Sequence, residues 1–430
     1  MELARCSDRA ARAHNIARET AIRTAHKTGA SRCKPANARG WARLLCLPLC
    51  VASFAGSPDA SQTNATVTAP LRSGHGTFVA VGDAGAIVRS ADEGITWTPA
   101  KSTATKQGLI KVVASGGLLV AIGEGGTIVR SVDKGVSWLP AYHSGTSVDL
   151  VDAIAEANGT LLAIGYGGTA VRSVDGGLNW VASRKTGTSA QLQRLIAEPH
   201  GALVALCGGG ILLRSIDDGL TWAVVVERRG TLFQGIAVTR NGTLVAVGGQ
   251  EESPNSPGSA VVLRSVDGGG HWTTVSVNLP KIWLSAVTAE TRGALIALGQ
   301  SGEMFRSADE GLNWSRVDTG TQAVELDGVV EQDRVLLATG VDGTILRSVD
   351  GGTSWSRQYG QRAFFILGLS MGSMGNAAAV GAYAVHSEFL GLMAHSTDGG
   401  ITWSKVPEFG TKRRLLSVVY VPDGLGQKRP

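Results

Sequence analysis

The chain has 430 residues, of which 43% are hydrophobic, 17% are charged and 58 are glycine. This much glycine with only 5% aromatic residues is typical of many tight turns between short strands. The formal charge of +5 comes from residues 1–43, which hold ten Lys or Arg and three Asp or Glu, so the remainder has a balance of −2. A nearly neutral body without a stripe of basic and aromatic residues argues against a nucleic-acid-binding protein.

The N-terminal segment has the composition of an export signal. Two arginines precede an apolar stretch at residues 44–55, which is too short to span a bilayer comfortably. Ser53 and Ala55 are small residues at the spacing that a signal peptidase recognises. We therefore expect residues 1–55 to be a basic leader and signal peptide and residues 56–75 to be a linker. The mature protein is then periplasmic or otherwise extracytoplasmic, in contact with the inner membrane or free of it.

Residues 76–424 are built from eight repeats. The motif Ser-x-Asp-x-Gly-x-x-Trp recurs at intervals of 41 to 50 residues, and its copies begin at Ser90, Ser131, Ser173, Ser215, Ser265, Ser307, Ser348 and Ser396. A fixed period of this size in a β-rich sequence predicts one propeller blade per repeat.

Each repeat holds four short β-rich segments separated by glycine turns. In the second repeat we predict strands at 109–114, 118–122, 127–131 and 136–139. The motif forms the turn before the fourth strand, because Asp accepts hydrogen bonds from nearby N–H groups, Gly tolerates positive φ and Trp packs the turn against the sheet. This predicts a structural role for the motif aspartates, Asp92, Asp133, Asp175, Asp217, Asp267, Asp309, Asp350 and Asp398.

The two ends of the array complement each other. Only two strands are predicted before the first motif, at 77–81 and 86–90, whereas 415–421 has the pattern of a first strand with nothing after it. We expect this C-terminal strand to complete the N-terminal blade and close the ring, because an open array leaves exposed strand edges. The predicted fold is all-β, a β-propeller of four-stranded blades, with eight blades or alternatively seven, and 425–430 is a tail.

Two insertions and one cysteine stand out within the repeats. Residues 249–258 have the composition of a projecting loop, and residues 382–390 are richer in aromatic side chains. Cys207 is the one cysteine of the repeats and lies in an apolar segment, so a disulfide framework or a cysteine metal site is not expected in the mature chain. One Asp per motif offers too few oxygens for calcium, and we expect no metal and no other cofactor.

The repeated motif resembles the Asp-box, also called the bacterial neuraminidase (BNR) repeat. Its fuller form, at residues 123–138 and 340–355, is Gly-x-x-Gly-x-(Ile/Val/Leu)-x-Arg-Ser-x-Asp-x-Gly-x-(Thr/Ser/Asn)-Trp. With one box per repeat, residues 76–424 look most like the photosystem II stability/assembly factor family, although sialidases, other glycosidase propellers and sortilin-type receptors also carry Asp-boxes. The resemblance implies a non-enzymatic propeller outside the cytoplasm that assists assembly or stability of a membrane protein complex, in photosynthesis for that family. It also implies seven blades, whereas eight boxes are present here.

An arginine precedes seven of the boxes, and His395 precedes the eighth. These arginines are Arg89, Arg130, Arg172, Arg214, Arg264, Arg306 and Arg347. A ring of guanidinium groups can bind carboxylates of a protein partner in bidentate geometry. Because the arginine repeats with the box, local pairing with carboxylates of the box or of a neighbouring blade is the favoured interpretation. The expected partner is a protein, a membrane complex or its assembly intermediate, and the propeller itself is expected to be a monomer.

A carbohydrate-active enzyme, sialidase-like or another glycoside hydrolase, is the alternative. A sialidase needs a tyrosine nucleophile beside a glutamate, and the tyrosines here are Tyr142, Tyr166, Tyr359, Tyr383 and Tyr420, of which Tyr383 with Glu388 is the least implausible pair. Other hydrolases need two carboxylates at the channel. Candidates near the predicted first strands are Asp152, Glu156, Glu198, Glu290, Glu325 and Asp327. Solvated surface acids explain these more simply, so the sequence favours a non-catalytic scaffold.

Overall fold

The structure is a computed structural model that describes residues 76–423, apart from 185, 252–257, 277, 301, 321–324, 361–363, 386–387 and 408. The predicted leader, linker and tail lie outside the described residues, as does most of the insertion at 249–258. None of the described helical segments is long and apolar enough to cross a membrane.

The described residues form eight four-stranded antiparallel sheets, which are the blades of a closed ring. We number the blades by the order of their Asp-boxes. Blades 1 and 2 contain β1 (Gly76–Gly82), β2 (Ile87–Ser90) and β3 (Thr98–Pro99), then β4 (Leu109–Ser115), β5 (Leu118–Gly123), β6 (Ile128–Ser131) and β7 (Leu139–Pro140). Blades 3 and 4 contain β8 (Leu150–Ala155), β9 (Leu161–Gly165), β10 (Ala170–Ser173) and β11 (Val181–Ala182), then β12 (Leu192–Ala197), β13 (Leu203–Cys207), β14 (Ile211–Ser215) and β15 (Ala223–Glu227).

The second half of the ring has the same order of strands. Blades 5 and 6 contain β16 (Thr231–Val238), β17 (Leu244–Gln250), β18 (Ser259–Ser265) and β19 (Thr273–Thr274), then β20 (Leu284–Ala289), β21 (Leu295–Gly299), β22 (Met304–Ser307) and β23 (Ser315–Val317). Blades 7 and 8 contain β24 (Leu326–Gln332), β25 (Val335–Gly340), β26 (Ile345–Ser348) and β27 (Ser356–Tyr359), then β28 (Phe364–Met371), β29 (Ala377–Val385), β30 (Glu388–Ser396) and β31 (Ser404–Lys405). The last strand is β32 (Leu415–Pro422). Short 3₁₀ turns lie at Asp83–Gly85, Glu124–Gly126, Tyr166–Gly168 and Ser373–Gly375.

The C-terminal strand closes the ring. Strand β32 pairs antiparallel with β1, so the first blade has the order β3-β2-β1-β32. Gly76 lies opposite Pro422 and Phe78 opposite Tyr420, whose rings are 4.9 Å apart between centroids. The prediction of eight blades closed in this way is confirmed.

The hydrophobic core lies between neighbouring blades. One cluster joins Val79 of blade 1 to Leu119, Ala121 and Trp138 of blade 2. The residues that alternate with these on β5, such as Val120, point into the next cluster, which joins blades 2 and 3. The second strand of a blade is therefore buried on both faces, as its continuous apolar run predicts.

The fourth strand of blade 2 begins later than the sequence predicts. The fourth strand of blade 2 starts at Leu139 rather than at Val136. Residues up to Trp138 belong to the Asp-box turn, because the N–H of Val136 bonds to the carbonyl of Asp133 and the Trp138 indole bonds to the carbonyl of Gly135.

Candidate functional site

The Asp-boxes all lie at one end of the ring, which we call the box face. Alternate turns of an antiparallel meander lie at the same end, so the turn between the first and second strands of each blade shares this face with the box. The insertions at 249–258 and 382–390 connect second to third strands and therefore belong to the opposite face.

Each Asp-box is a turn held by its own side chains. In blade 2, Ser131 Oγ donates to Asp133 Oδ1 at 2.7 Å and accepts from the N–H of Gly135 at 2.9 Å. Asp133 Oδ1 also accepts from the N–H of Ser137 at 2.9 Å. Gly135 has a φ of +81°, a value that favours glycine. The aspartate is therefore occupied by its own turn.

These hydrogen bonds keep the box aspartates ionised. Partial burial raises the pKa of Asp175, but hydrogen bonds from Asn179, Ser173 and Leu178 outweigh it and lower the pKa to about 2. The same balance gives Asp350 and Asp398 a pKa of about 2. A carboxylate held as an anion in this way is a poor general acid at neutral pH.

Six of the arginines before the boxes form a hydrogen bond to the next blade. Each donates its Nε–H to a backbone carbonyl in the following box, at 2.6 to 3.2 Å. The pairs are Arg89–Lys134, Arg130–Gly176, Arg214–Gly268, Arg264–Glu310, Arg306–Gly351 and Arg347–Gly399. This arginine clasp ties the third strand of one blade to the box of its neighbour. A partner-binding role for these seven arginines stays a prediction.

The junction between blades 3 and 4 departs from this pattern. Arg172 contacts the Asp218 carboxylate at 3.4 Å, and its Nε is buried without a hydrogen-bond partner. Glu156 lies nearby, and burial together with the negative charge of Asp218 raises the pKa of Glu156 to about 7, against the opposing charge of Arg172. The charges of Asp218 and Arg172 thus act on Glu156 in opposite directions at this junction.

The junction between blades 8 and 1 has a histidine in place of the clasp. The Cβ of His395 lies close to Gly94 in the box of blade 1, and its Nδ1 is buried without a hydrogen-bond partner. Burial lowers the pKa of His395, while the charge of Asp92 opposes this. The junction between blade 8 and blade 1, which β32 completes and which we call the seam, thus has a histidine where the other seven junctions have an arginine.

Restoring the clasp at this seam should stabilise the ring. In His395→Arg, the new guanidinium faces Glu93, which occupies the box position that Glu310 occupies opposite Arg264. We expect the free energy of unfolding to rise by about 0.5–1.5 kcal/mol, the usual net value of a hydrogen bond. Urea denaturation measures this, and the reciprocal variant Arg264→His should lose a comparable amount. An unchanged or lower midpoint for His395→Arg would contradict the proposed clasp energetics.

The candidate carboxylate Asp152 lies in a buried ion pair on the innermost strands. Its Oδ1 is 3.6 Å from Nζ of Lys111 in blade 2, and its Oδ2 accepts from the N–H of Leu195 in blade 4 at 3.0 Å. Asp152 therefore links three consecutive blades. Asp152 is therefore a buried residue that holds neighbouring blades together, and it is not a solvated surface acid.

Asp327 is a second carboxylate on an innermost strand. It is the extra residue of the β-bulge between Leu326 and Gly328 on β24, the innermost strand of blade 7. Burial and the negative charge of Glu325 raise the pKa of Asp327 to about 7. The structure thus brings together the candidates Glu325 and Asp327, and a carboxyl that holds its proton near neutral pH has the property of a general acid.

This raised pKa makes stability depend on pH. The folded state binds the Asp327 proton more tightly than the unfolded state does. The protonated carboxyl therefore makes its full contribution to the free energy of unfolding below pH 4, and this contribution is lost as pH rises toward 7. Asp327→Asn should therefore raise the urea midpoint relative to the native sequence more at pH 8 than at pH 5. The control is Asp333→Asn, a change at an exposed turn residue. Equal effects of Asp327→Asn at both pH values would contradict a raised pKa at Asp327. The pH dependence of stability that remains in the variant is expected to come from Glu156, whose pKa is also raised.

Glu198 lies in a cleft between blades 4 and 5 on the box face. Its side chain is 2% exposed and accepts a hydrogen bond from the N–H of His200 at 2.9 Å. The cleft has a volume of about 260 Å³, and Arg214, Asp267 and Asn241 also line it. Glu290 occupies the equivalent position in blade 6 and is also buried.

The candidate tyrosine pair lies away from the arginines. Tyr383 is on β29 near the opposite face, where its ring packs 5.8 Å from that of Phe364 and 4.6 Å from Nζ of Lys405. The side chain of its suggested partner, Glu388, lies outside the described residues. Cys207 is buried between blades 3 and 4, and burial raises its pKa to about 12.

A ring of exposed aliphatic side chains on the box face was not predicted from the sequence. Every blade presents at least one, either directly after the box serine or directly after the box glycine. They are Ile95, Val132, Val174, Ile216, Leu220, Val266, Leu312, Val349 and Ile401, and their exposed fractions run from 42% to 73%. These nine are more than half of the sixteen large apolar side chains exposed in the described part of the chain. We call this set the aliphatic ring.

Comparison with protein families confirms the Asp-box propeller. Residues 111–322 match the DUF6242 beta propeller domain, and residues 394–405 match the BNR/Asp-box repeat. No curated protein matches the chain. The predicted resemblance to the photosystem II assembly factors is supported at the level of repeat and fold.

Solved structures with a similar fold have diverse functions. YCF48 from Cyanidioschyzon merolae is 16% identical with a TM-score of 0.48, over 63% of this chain and 91% of that chain, and another YCF48 structure is bound to a D1 peptide. The GH74 xyloglucanase from Xanthomonas campestris is 15% identical with a TM-score of 0.46, over 79% and 67% of the two chains. The computationally designed Ika8 protein is 13% identical with a TM-score of 0.53, over 72% and 89%. Of these structures, Ika8 supports the fold, and none carries an argument about function, because one fold supports unrelated functions.

Proposed function

We propose that this protein is a non-catalytic, exported scaffold that binds a protein partner and assists the assembly or stability of a membrane protein complex. The observation that carries the proposal is the aliphatic ring. Exposed apolar side chains that recur on one face of a rigid scaffold are typical of protein interaction sites. One of the solved structures to which this chain is similar is YCF48 bound to a D1 peptide.

The polar groups of the repeats support the same proposal. The box aspartates are occupied by their own turns, and six arginines are occupied by the neighbouring blade. The aliphatic ring has no such internal partner, since its side chains point to solvent. The aliphatic ring is therefore the apolar feature of the box face that is available to bind another molecule.

A pull-down from solubilised membranes tests this function. The full chain with a C-terminal tag is the bait, and co-purifying proteins are identified and quantified against tag-only beads. We expect one membrane complex, or an intermediate of its assembly, at near-stoichiometric level. Repeated failure to recover any membrane protein under mild solubilisation would contradict the proposal.

A glycoside hydrolase is the second candidate, and Asp327 is the observation that favours it. A carboxyl with a pKa of about 7 near Glu325 on an innermost strand has the protonation state of a general acid at neutral pH. Incubation with a panel of polysaccharides, followed by analysis of reducing ends, tests this activity. Hydrolysis that Asp327→Asn abolishes and Asp333→Asn leaves unchanged would establish the enzyme in place of the scaffold.

A further inference from the structure

The box face has an excess of negative charge. The eight box segments, from the arginine or histidine before each box to its tryptophan, and the described turns between first and second strands hold fifteen Asp or Glu and eleven Lys or Arg. With histidine neutral, the formal balance is −4. Seven of these eleven cations are the arginines before the boxes, which are half-buried and engaged with the next blade. The charge that faces solvent is therefore predominantly negative.

The part of this negative charge that the box aspartates carry persists over the physiological pH range. Hydrogen bonds within the boxes hold the pKa of Asp175, Asp350 and Asp398 near 2. Asp267 has a side chain that is 41% exposed, and hydrogen bonds from His271 hold its pKa far below its usual value. Anionic carboxylates thus alternate with the exposed aliphatic side chains around the face.

The two features converge at the cleft between blades 4 and 5. Ile216 and Val266 lie on its two sides and are 73% and 68% exposed, and Leu220 adds a third exposed aliphatic side chain in blade 4. The charged groups that line the cleft are Glu198, Asp267 and Arg214, which give it one net negative charge. A cleft of about 260 Å³ can hold one long side chain, with aliphatic contacts at its mouth and carboxylates within.

We infer that the box face docks a cationic polypeptide segment in which lysine or arginine side chains alternate with aliphatic ones, and that the cleft between blades 4 and 5 is the centre of this interface. The inference rests on the proposed scaffold function and names the chemistry of its partner. Lysine and arginine suit such a site because their alkyl stems pack on apolar side chains while their charged heads reach carboxylates. Charge complementarity of this kind speeds association and rejects acidic partners.

The same charge argues against the other ligands of an apolar surface. An anionic lipid surface or a nucleic acid would meet the negative face with like charge. An acidic peptide would do the same, although it could bind the arginines if they left their clasps. These ligands therefore serve as comparison arms of the test.

Fluorescence anisotropy with defined peptides tests the inference on the full chain. Three labelled 20-residue probes are compared: a Lys/Leu peptide, a Glu/Leu peptide and a Lys/Ser peptide. We expect the Lys/Leu peptide to bind at least about tenfold more tightly than either of the others, and more weakly as salt rises, because salt screens its charges. Equal or tighter binding of the Glu/Leu peptide, or of vesicles containing anionic lipid, overturns the inference.

Paired surface variants locate the interface. The double variant Ile216→Ser with Val266→Ser should weaken Lys/Leu binding by about tenfold, since apolar contacts near the centre of an interface dominate its affinity. The control is Tyr166→Ser with Leu232→Ser, which alters two exposed apolar side chains at the opposite face. Circular dichroism verifies that both variants keep the fold. Full affinity in the first variant, or an equal loss in the control, overturns the location.

The outcomes separate this inference from the proposed function. If the native chain and the Ile216→Ser, Val266→Ser variant recover the same membrane complex in the pull-down, the scaffold function stands and the box-face site is wrong. If neither recovers a complex and the Lys/Leu peptide still binds by the box face, the interface stands and the membrane role is wrong.

Discussion

A chain that ends at Arg414 is expected not to form the folded propeller. This truncation removes β32, whose Leu415, Val418, Val419, Tyr420 and Val421 are each no more than 5% exposed. At about 1.5–3 kcal/mol for each buried side chain, their burial contributes on the order of 8–15 kcal/mol. That equals the whole net stability of a typical domain, about 5–15 kcal/mol.

The truncation also opens the ring. Strand β1 is buried along its entire length and would lose one of its two hydrogen-bonded neighbours. An apolar strand with an open edge is a template for aggregation. We expect the truncated chain to elute as aggregate in size-exclusion chromatography and to lack a cooperative unfolding transition. The matched control ends at Pro422, keeps all of β32 and should unfold like the full chain. A soluble, cooperative Arg414 truncation would show that the ring does not depend on this strand.

Trp138→Ala is expected to have the second largest effect. Trp138 is 1% exposed and packs in the cluster that joins blades 1 and 2. Its indole also donates to the carbonyl of Gly135 at 3.2 Å, which fixes the box turn. Removing a buried aromatic side chain costs about 3–5 kcal/mol, because a cavity remains where the ring was.

Urea unfolding of Trp138→Ala beside Leu139→Ala checks this. Leu139 is the next residue but is 62% exposed, so its truncation should change the free energy of unfolding by less than about 0.5 kcal/mol. Similar losses in the two variants would mean that the box tryptophan does not stabilise the blade junction.

The fold was predictable because its signals are local and repeated. An Asp-box is closed by hydrogen bonds that span at most four residues, as in Ser131 to Gly135, so its sequence alone determines the turn. The unmatched strand at 415–421 identified the closure, since one blade lacked a first strand. The fourth strand of blade 2 was placed too early, because Val136 has strand propensity although it belongs to the turn.

The arginine clasp was harder to predict because its acceptor is a backbone carbonyl. Arg130 bonds to the carbonyl of Gly176, which is 46 residues away, and Arg89 bonds to that of Lys134. Every residue has a backbone carbonyl, so the residue type of the acceptor does not identify it in the sequence. Carboxylate partners were expected for these arginines, and Arg172 and Arg264 have them.

The features of the candidate site depend on tertiary geometry in the same way. Val132 and Val174 directly follow buried strand residues, and only the orientation of the turn places them in solvent. The raised pKa of Asp327 depends on burial of its side chain at a β-bulge and on the charge of Glu325 nearby. A single sequence shows neither the turn orientation nor the bulge.

Closure by β32 brings the first and last strands of the propeller side by side. Gly76 and Pro422 face each other across the ladder between β1 and β32, so the described chain starts and stops at one place on the ring. A short linker could join these two points, and new ends could be cut in a turn of another blade, since circular permutation succeeds at exposed turns when the original ends are adjacent. The order of the blades along the chain could thus be changed while the contacts between neighbouring blades stay the same.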